Sequence, residues 1–160
     1  MKIKILLSIV ILIVVVFAIT ALIKLRAQGA ELVREADRFN IPVVKQTMAE
    51  LSAWDYKKLK PYLDDGFLEL FPDQEFQKEL DNLSILGDVK NIRHIRHAGH
   101  KRYKNWLYTV CAVNKYSVST DFEKGRGNVV FDLNHCHEKV EVTFFQVHSK
   151  ALPIPDATQR

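Results

Sequence analysis

Nineteen consecutive residues, Ile5 to Ile23, contain no charge, no proline and no glycine, and only Ser8 and Thr20 among them are polar. At roughly 1.5 Å per residue a helix over this run spans about 28 Å, close to the roughly 30 Å hydrocarbon core of a bilayer. Each central Leu, Ile, Val or Phe favours insertion by roughly 0.3–0.6 kcal/mol. The Lys, Arg or Asp that would each oppose it by about 2.5–3.5 kcal/mol are missing between Lys4 and Lys24. The competing reading is a cleaved secretory signal, whose apolar region is about 7–15 residues and ends at a small-x-small site. Ala27-Gln28-Gly29 has that form, but Lys24 and Arg26 stand before it, where cleavable signals are neutral, and no neighbouring cysteine is there to accept a lipid. Residues 1–26 therefore read as an uncleaved single-pass transmembrane signal anchor whose partner is the membrane lipid bilayer, through residues 5–23. Lys2 and Lys4 nearly balance Lys24, Arg26 and Arg34 in the positive-inside count. The short basic amino terminus favours a cytoplasmic start and an extracytoplasmic domain, which in a bacterium is periplasmic.

Other absences narrow the function. There is no Gly-rich phosphate loop, no G-x-S-x-G elbow and no zinc-protease motif, so no residue is assigned a catalytic role and no cofactor is expected. Cys111 and Cys136 are the only cysteines. They pair if their strands are adjacent in an oxidising compartment, or are simply two buried small residues. The net charge of +4 belongs to the membrane flanks: without Lys2, Lys4, Lys24 and Arg26, 19 Lys and Arg remain against 19 Asp and Glu. A neutral domain lacks the electrostatic footprint of nucleic-acid binding.

What is present reads first as helices. Leu32, Val33, Ala36 and Phe39 have helical spacing, predicting a helical stalk over residues 27–40. Asn40 is then placed to cap a new helix with Pro42 in its first turn and Val43, Val44, Thr47, Met48 and Leu51 on one face. Asp55 reads as the cap of a short helix through Leu59 and Tyr62, and Phe67, Leu68, Leu70 and Phe71 as cover for apolar surface. Phe76, Leu80 and Leu83 recur at i, i+4 and i+7 of a further helix, with Gly87 as its stop. After Gly87 the period becomes two, predicting strands from Val89 to Ala98, Tyr103 to Val118, Asn128 to Leu133 and Lys139 to His148. Gly99-His100, Glu123 to Gly127 and Asn134 to His137 are their turns. In the second strand Trp106, Tyr108, Val110, Ala112 and Tyr116 share one face, and Leu107, Cys111 and Val113 the other. The expected fold is α+β: an N-terminal transmembrane helix, then helices packed on a curved four-stranded antiparallel sheet over residues 41–150, and a disordered tail over 151–160.

The stretch Met48-Ala-Glu-Leu-Ser-Ala-Trp-Asp-Tyr-Lys-Lys-Leu-Lys-Pro-Tyr-Leu63, with Leu83-Ser-Ile-Leu-Gly87 before the first long strand, resembles the cone-shaped α+β superfamily of nuclear transport factor two and ketosteroid isomerase, described as nuclear transport factor two-like or cystatin-like. The resemblance covers roughly Pro42 to Lys150. It implies a cone of helices on a curved sheet. Some members use an acidic or His base with a Tyr or Asp donor inside the cone, but no such pair matches here residue by residue. Other members are noncatalytic, including membrane-tethered periplasmic assembly subunits of type IV secretion systems, whose layout this chain resembles. The Gly cleavage site and following Glu of pilin-like proteins are missing.

Two clusters contain metal-ligand types. On a strand His94 and His100 share a face and His97 points away, and His135-Cys136-His137 lacks a second half, so no metal site is expected. Charge is the more informative pattern. Lys90, Arg93, Arg96, Lys101, Arg102 and Lys104 occur with no acid between them, whereas Asp64, Asp65, Glu69, Asp73, Glu75, Glu79 and Asp81 are opposed only by Lys78. The two runs are solvated faces, an intramolecular pair, or a steered contact with a charged partner or anionic headgroups. The expected partner-binding residues are Arg93, Arg96, Lys101, Arg102 and Lys104. The expected function is a noncatalytic, membrane-tethered interaction domain serving as an accessory or assembly subunit of a larger membrane complex. The alternative is a small-molecule-binding or isomerase-like cone with a pocket between helices and sheet. Intact-mass measurement of the membrane-extracted protein is expected to include residues 1–26. A species beginning after Gly29 would identify a cleaved signal instead.

Overall fold

A computed structural model of the chain describes residues 2–104, 110–137 and 139–152, with side chains from residue 14 onward. The chain divides into two compact units between Ala36 and Asp37. The described residues of the first, 2–36, are all part of helix α1 (Lys2–Leu51). Val14, Val15, Val16, Phe17, Ile19, Leu22 and Ile23 are all exposed on it. Among the described residues no helix is long and apolar enough to cross a membrane. Only Val14 to Ile23 of the expected span has described side chains, and ten helical residues cover about 15 Å, half a bilayer core.

The second unit opens with the last turns of α1. The expected break at Asn40 does not occur: α1 runs through Asn40 and Pro42 to Leu51. Asn40 is buried and donates its amide to the Tyr116 hydroxyl at 3.3 Å instead of capping a helix. A proline inside a helix removes one internal hydrogen bond, and the Asn-x-Pro pattern is common to a cap and to a helix that tolerates that loss. Val44, Met48 and Leu51 then enter the core.

The next helices follow their caps. Asp55 accepts from Lys57 N at 2.9 Å and starts α2 (Tyr56–Leu59), which tightens into a 3-10 turn containing Pro61 (Lys60–Tyr62). Asp64 accepts from Phe67 N at 2.7 Å and starts α3 (Asp65–Leu70); α4 spans Asp73–Leu83. Trp54 adopts a positive φ of 50° where α1 ends. Its carbonyl and the Tyr56 N–H, which no regular element satisfies, both bond to the Gln77 side chain of α4, at 3.0 and 2.9 Å. Gly87, at φ 72°, turns the chain out of the 3-10 turn Ser84–Leu86 into the sheet.

The sheet has four antiparallel strands in sequence order: β1 (Val89–Lys104), β2 (Val110–Phe122), β3 (Gly125–Cys136) and β4 (Lys139–Ser149). The α+β architecture is therefore as expected, but the first turn is displaced. Gly99-His100 lies inside β1, and β2 starts only at Val110. The predicted strand from Tyr103 to Val118 thus combined the end of one strand with the start of the next; Trp106, Leu107 and Tyr108 lie outside the described residues. The core face carries Tyr116, Val118 and Phe122 of β2, Val129, Phe131 and Leu133 of β3, and Val142 and Val147 of β4, against Leu59, Leu63, Phe67, Phe76, Leu80 and Leu86. Of the tail expected to be disordered, Ala151 and Leu152 are half-buried against this core; residues 153–160 lie outside the described residues.

Cys111 and Cys136 face each other across β2 and β3 with Cα atoms 4.5 Å apart, the spacing of a non-hydrogen-bonded antiparallel pair, and form a disulfide. Thiol titration of the native protein is expected to find no free cysteine. For a loop of this length, replacing both by Ala should cost about 2–4 kcal/mol of unfolding free energy. Gly127 lies on the core face beneath the Phe122 ring, where an added Cβ would meet Phe122 Cε2 at 2.5 Å and the His148 carbonyl at 3.0 Å. Gly127→Ala should lower stability by about 1–3 kcal/mol through overpacking, read as a shift of the denaturation midpoint at constant m-value.

Candidate functional site

β1 decides where the expected binding residues lie. Val89, Ile92 and Ile95 recur every third residue, a spacing a regular strand would send to alternate faces. Register shifts between Val89 and Asn91, Ile92 and His94, and His97 and Gly99 leave Lys90, Arg93 and Ala98 as extra residues. Each bulge resets the alternation, so all three apolar side chains pack against the core. The same resetting corrects the histidines. His97 and His100 share the core-side face with ring centroids 6.3 Å apart, while His94 takes the opposite face.

The five candidate residues are accordingly split. Arg96 and Lys101 lie on the outer face, and Arg93, at a bulge, reaches Asp121 of that face at 3.6 Å. Arg102 and Lys104 pair in register with Ala112 and Val110 and take the opposite face. All five are exposed. They form two flanking rows along one edge, because β1 has β2 as its sheet neighbour and lies at the end of the strand order. Among the described residues Arg93 alone of the five has a carboxylate partner, and an exposed pair of that kind is worth about 0–1 kcal/mol. The acidic run is not spent on β1 either. Its described ion pair is Lys60 with Asp73 at 3.5 Å, so the intramolecular pairing weighed for the two runs does not form among the described residues.

A second polar constellation, missed in the sequence, lies where α1 meets the core face. Tyr116 is fully buried and donates its hydroxyl to Asp37 Oδ1 at 2.8 Å while accepting from Asn40. His97 packs edge-on against its ring at 5.2 Å. His100 Nδ1 and Asn114 Oδ1 are 2.7 Å apart beside it. Period two placed Tyr116 on a face, but no local signal paired it with residues nearly eighty positions earlier. Burial, the largest cause, and the Asp37 carboxylate push the Tyr116 phenol well above its usual pKa, against the opposing Asn40 amide.

A smaller cluster surrounds Tyr56. Its hydroxyl donates to Asp73, and Lys60 lies 5.3 Å from its ring. Burial and Asp73 raise the Tyr56 pKa, while the Tyr56 hydrogen bond and then Lys60 hold the Asp73 carboxyl below its usual range. This cluster lines an open groove of about 580 Å³ between α2 and α4. The other described grooves lie between the ends of β3 and β4 and between α3, α4 and β4. None of the three includes Tyr116, His97 or Asp37. Among the described residues no group of three or more His, Cys, Asp or Glu is placed to hold a metal, and Cys136 is committed to its disulfide.

Comparison with protein-family models, with curated proteins and with solved structures finds no match.

The raised tyrosine pKa values make an alkaline prediction. The folded state holds these protons where an unfolded tyrosine loses them, so their contribution to stability is complete below about pH 10 and is lost as pH rises further. Ultraviolet phenolate titration of the native protein should show a late-ionising class, and Tyr116→Phe should remove its highest step. An unchanged titration curve would place that step on another tyrosine.

Proposed function

We propose that this chain is a noncatalytic, membrane-tethered interaction domain, an accessory or assembly subunit of a larger membrane complex, with β1 as its contact edge. The observation that carries this reading is a sixteen-residue edge strand, with no second sheet neighbour among the described residues, flanked by basic side chains on both faces. An edge strand offers unpaired backbone N–H and C=O groups, and an extended partner segment adds to it through main-chain hydrogen bonds, with side chains supplying specificity. Pairing with β1 of a second copy would set Lys and Arg opposite Lys and Arg, which is destabilising. An acidic extended segment meets the same charges favourably.

The anchor belongs to this proposal. The uncharged run Ile5 to Ile23 is long enough to cross a bilayer, and the exposed apolar side chains from Val14 to Ile23 are of the kind that lipid covers. The Cys111–Cys136 disulfide favours an oxidising compartment, which supports the periplasmic or extracytoplasmic side where the flanking charges were nearly tied. Helices followed by an antiparallel sheet are compatible with the cone-shaped superfamily and with its membrane-tethered assembly subunits. The isomerase-like alternative draws on the Tyr116, Asp37 and His97 cluster, but Tyr116 and Asn40 are fully buried and hydrogen-bonded to each other. The edge reading is the better supported.

A photo-crosslinking residue introduced at His94 or Ala98, exposed on β1 between the basic side chains, in native membranes should capture one membrane-complex partner, whereas one at Asn128, on the outer face of β3, should not. Arg96→Glu combined with Arg102→Glu should abolish the capture while leaving the unfolding midpoint nearly unchanged. Equal capture from both positions, or capture that survives charge reversal, would remove β1 from the interface.

A further inference from the structure

We propose that the aromatic groove between α3, α4 and β4 is a second docking site, one that takes a basic amphipathic segment of a partner protein through an apolar anchor side chain. Its walls are Phe67, Phe71, Phe76, Leu80, Phe144 and Phe145. The rings interlock, with Phe67 edge-on to Phe76 at 5.2 Å and Phe76 edge-on to Phe145 at 5.7 Å, so the groove is held by packing on rigid elements. Its volume is about 240 Å³, below the roughly 300–1,000 Å³ of small-molecule sites. That room suits one or two side chains, not a cofactor.

The groove mouth is apolar where water should be. Phe71 is 39% exposed and Phe144 41%, and Leu70, which ends α3 next to Phe71, is 76% exposed, so Phe71 packs on Phe67 at 5.0 Å but is only partly covered by the described residues. Clustered exposed side chains of this size mark interaction surfaces, unlike scattered single ones.

The charge around it identifies the occupant. Helices α3 and α4 carry Asp65, Glu69, Asp73, Glu75, Glu79 and Asp81 against Lys78 alone. Glu79 itself lines the groove, and Glu75 stands one helical turn before it. Like charges at i and i+4 weaken a helix on their own, and among the described residues no ion pair relieves these two. Such a rim repels anionic lipid headgroups and attracts Lys and Arg. A second copy is a poor occupant through its basic edge, because the exposed residues of β1 include no large apolar side chain to act as anchor. A helix-in-groove partner with an apolar stripe and flanking Lys or Arg satisfies both the anchor and the charge.

The test uses the full-length chain in detergent micelles, with empty micelles as reference, and three labelled synthetic helical peptides read by fluorescence anisotropy. One has Leu and Phe at i and i+4 flanked by Lys; the second replaces each Lys with Glu; the third replaces both anchors with Ser. The Lys-flanked peptide should bind at least about ten-fold tighter than the other two and weaken with added salt. Phe144→Ser should reduce its affinity about ten-fold, and Glu75→Lys with Glu79→Lys should transfer the preference to the Glu-flanked peptide, a reversal that unfolding cannot produce. Equal binding of the Lys and Glu peptides, binding by none, or no reversal in the double variant would overturn the proposal. Arg96→Glu with Arg102→Glu should leave all three affinities unchanged, which separates this site from the β1 edge.

Discussion

Twelve residue pairs, from Cys111 opposite Cys136 to Phe122 opposite Gly125, align β2 with β3 without a register shift, whereas both outer strands are bulged. In a strand a slip of one residue sends every side chain to the other face. This central pairing therefore sets which residues of the second unit are core. It places Tyr116 beside Phe131 and Val118 beside Val129 in one buried layer, and it brings the two cysteines to bonding distance at its far end. The helices pack against a face that this register has already defined. Tyr116 carries the connection onward, because a buried phenol needs hydrogen-bond partners and finds them in Asp37 and Asn40 of α1.

The outer strands adapt to that frame, and the adaptation yields the candidate surfaces. On β1 three extra residues keep Val89, Ile92 and Ile95 turned inward and distribute the basic side chains over both sides of an open edge. Charged edges also protect a sheet from pairing with copies of itself, so the feature that selects an acidic partner also discourages the wrong one. At the opposite edge the chain covers part of β4 itself, through the Leu63–Val142 bridge and the Asp64 N–H donated to the Val142 carbonyl at 3.0 Å. The two edges of one sheet thus differ in availability among the described residues, and acidic α3 lies with the covered one, while α4 reaches β4 through Phe76 edge-on to Phe145.

Much of this was legible locally. Asp55 marks a helix start because a short carboxylate reaches the second N–H beyond it, and Phe76, Leu80 and Leu83 mark the buried side of α4 through their 3.6-residue period; Asp64 caps α3 by the same chemistry, but that helix was not among those expected from the sequence. The four strands were visible as a change of period, and the two charge runs as composition. The errors have one physical source. Gly99-His100 resembled a turn, Asn40 resembled a cap, and His94 and His100 resembled same-face neighbours, since in each case a local pattern admits two geometries. Tertiary packing chose the other one. At Asn40 the choice was made by Tyr116, and along β1 by bulges that no single residue announces.

The sequence alone determined the uncharged nineteen-residue run, the assignment of the net positive charge to its flanks, the separation of basic from acidic segments, and the order of helices before strands. These follow from composition and from short-range periodicity, which depend on neighbours a few residues apart. Only the tertiary structure decided that Cys111 and Cys136 pair, that Tyr116 binds Asp37 and Asn40, that β1 lies at an edge, and that Phe71 and Phe144 meet at one exposed groove. Each of these joins residues from 25 to 79 positions apart or depends on which strand lies at the end of the sheet order. Burial and strand register settle such contacts, and neither is a property of any local stretch of chain.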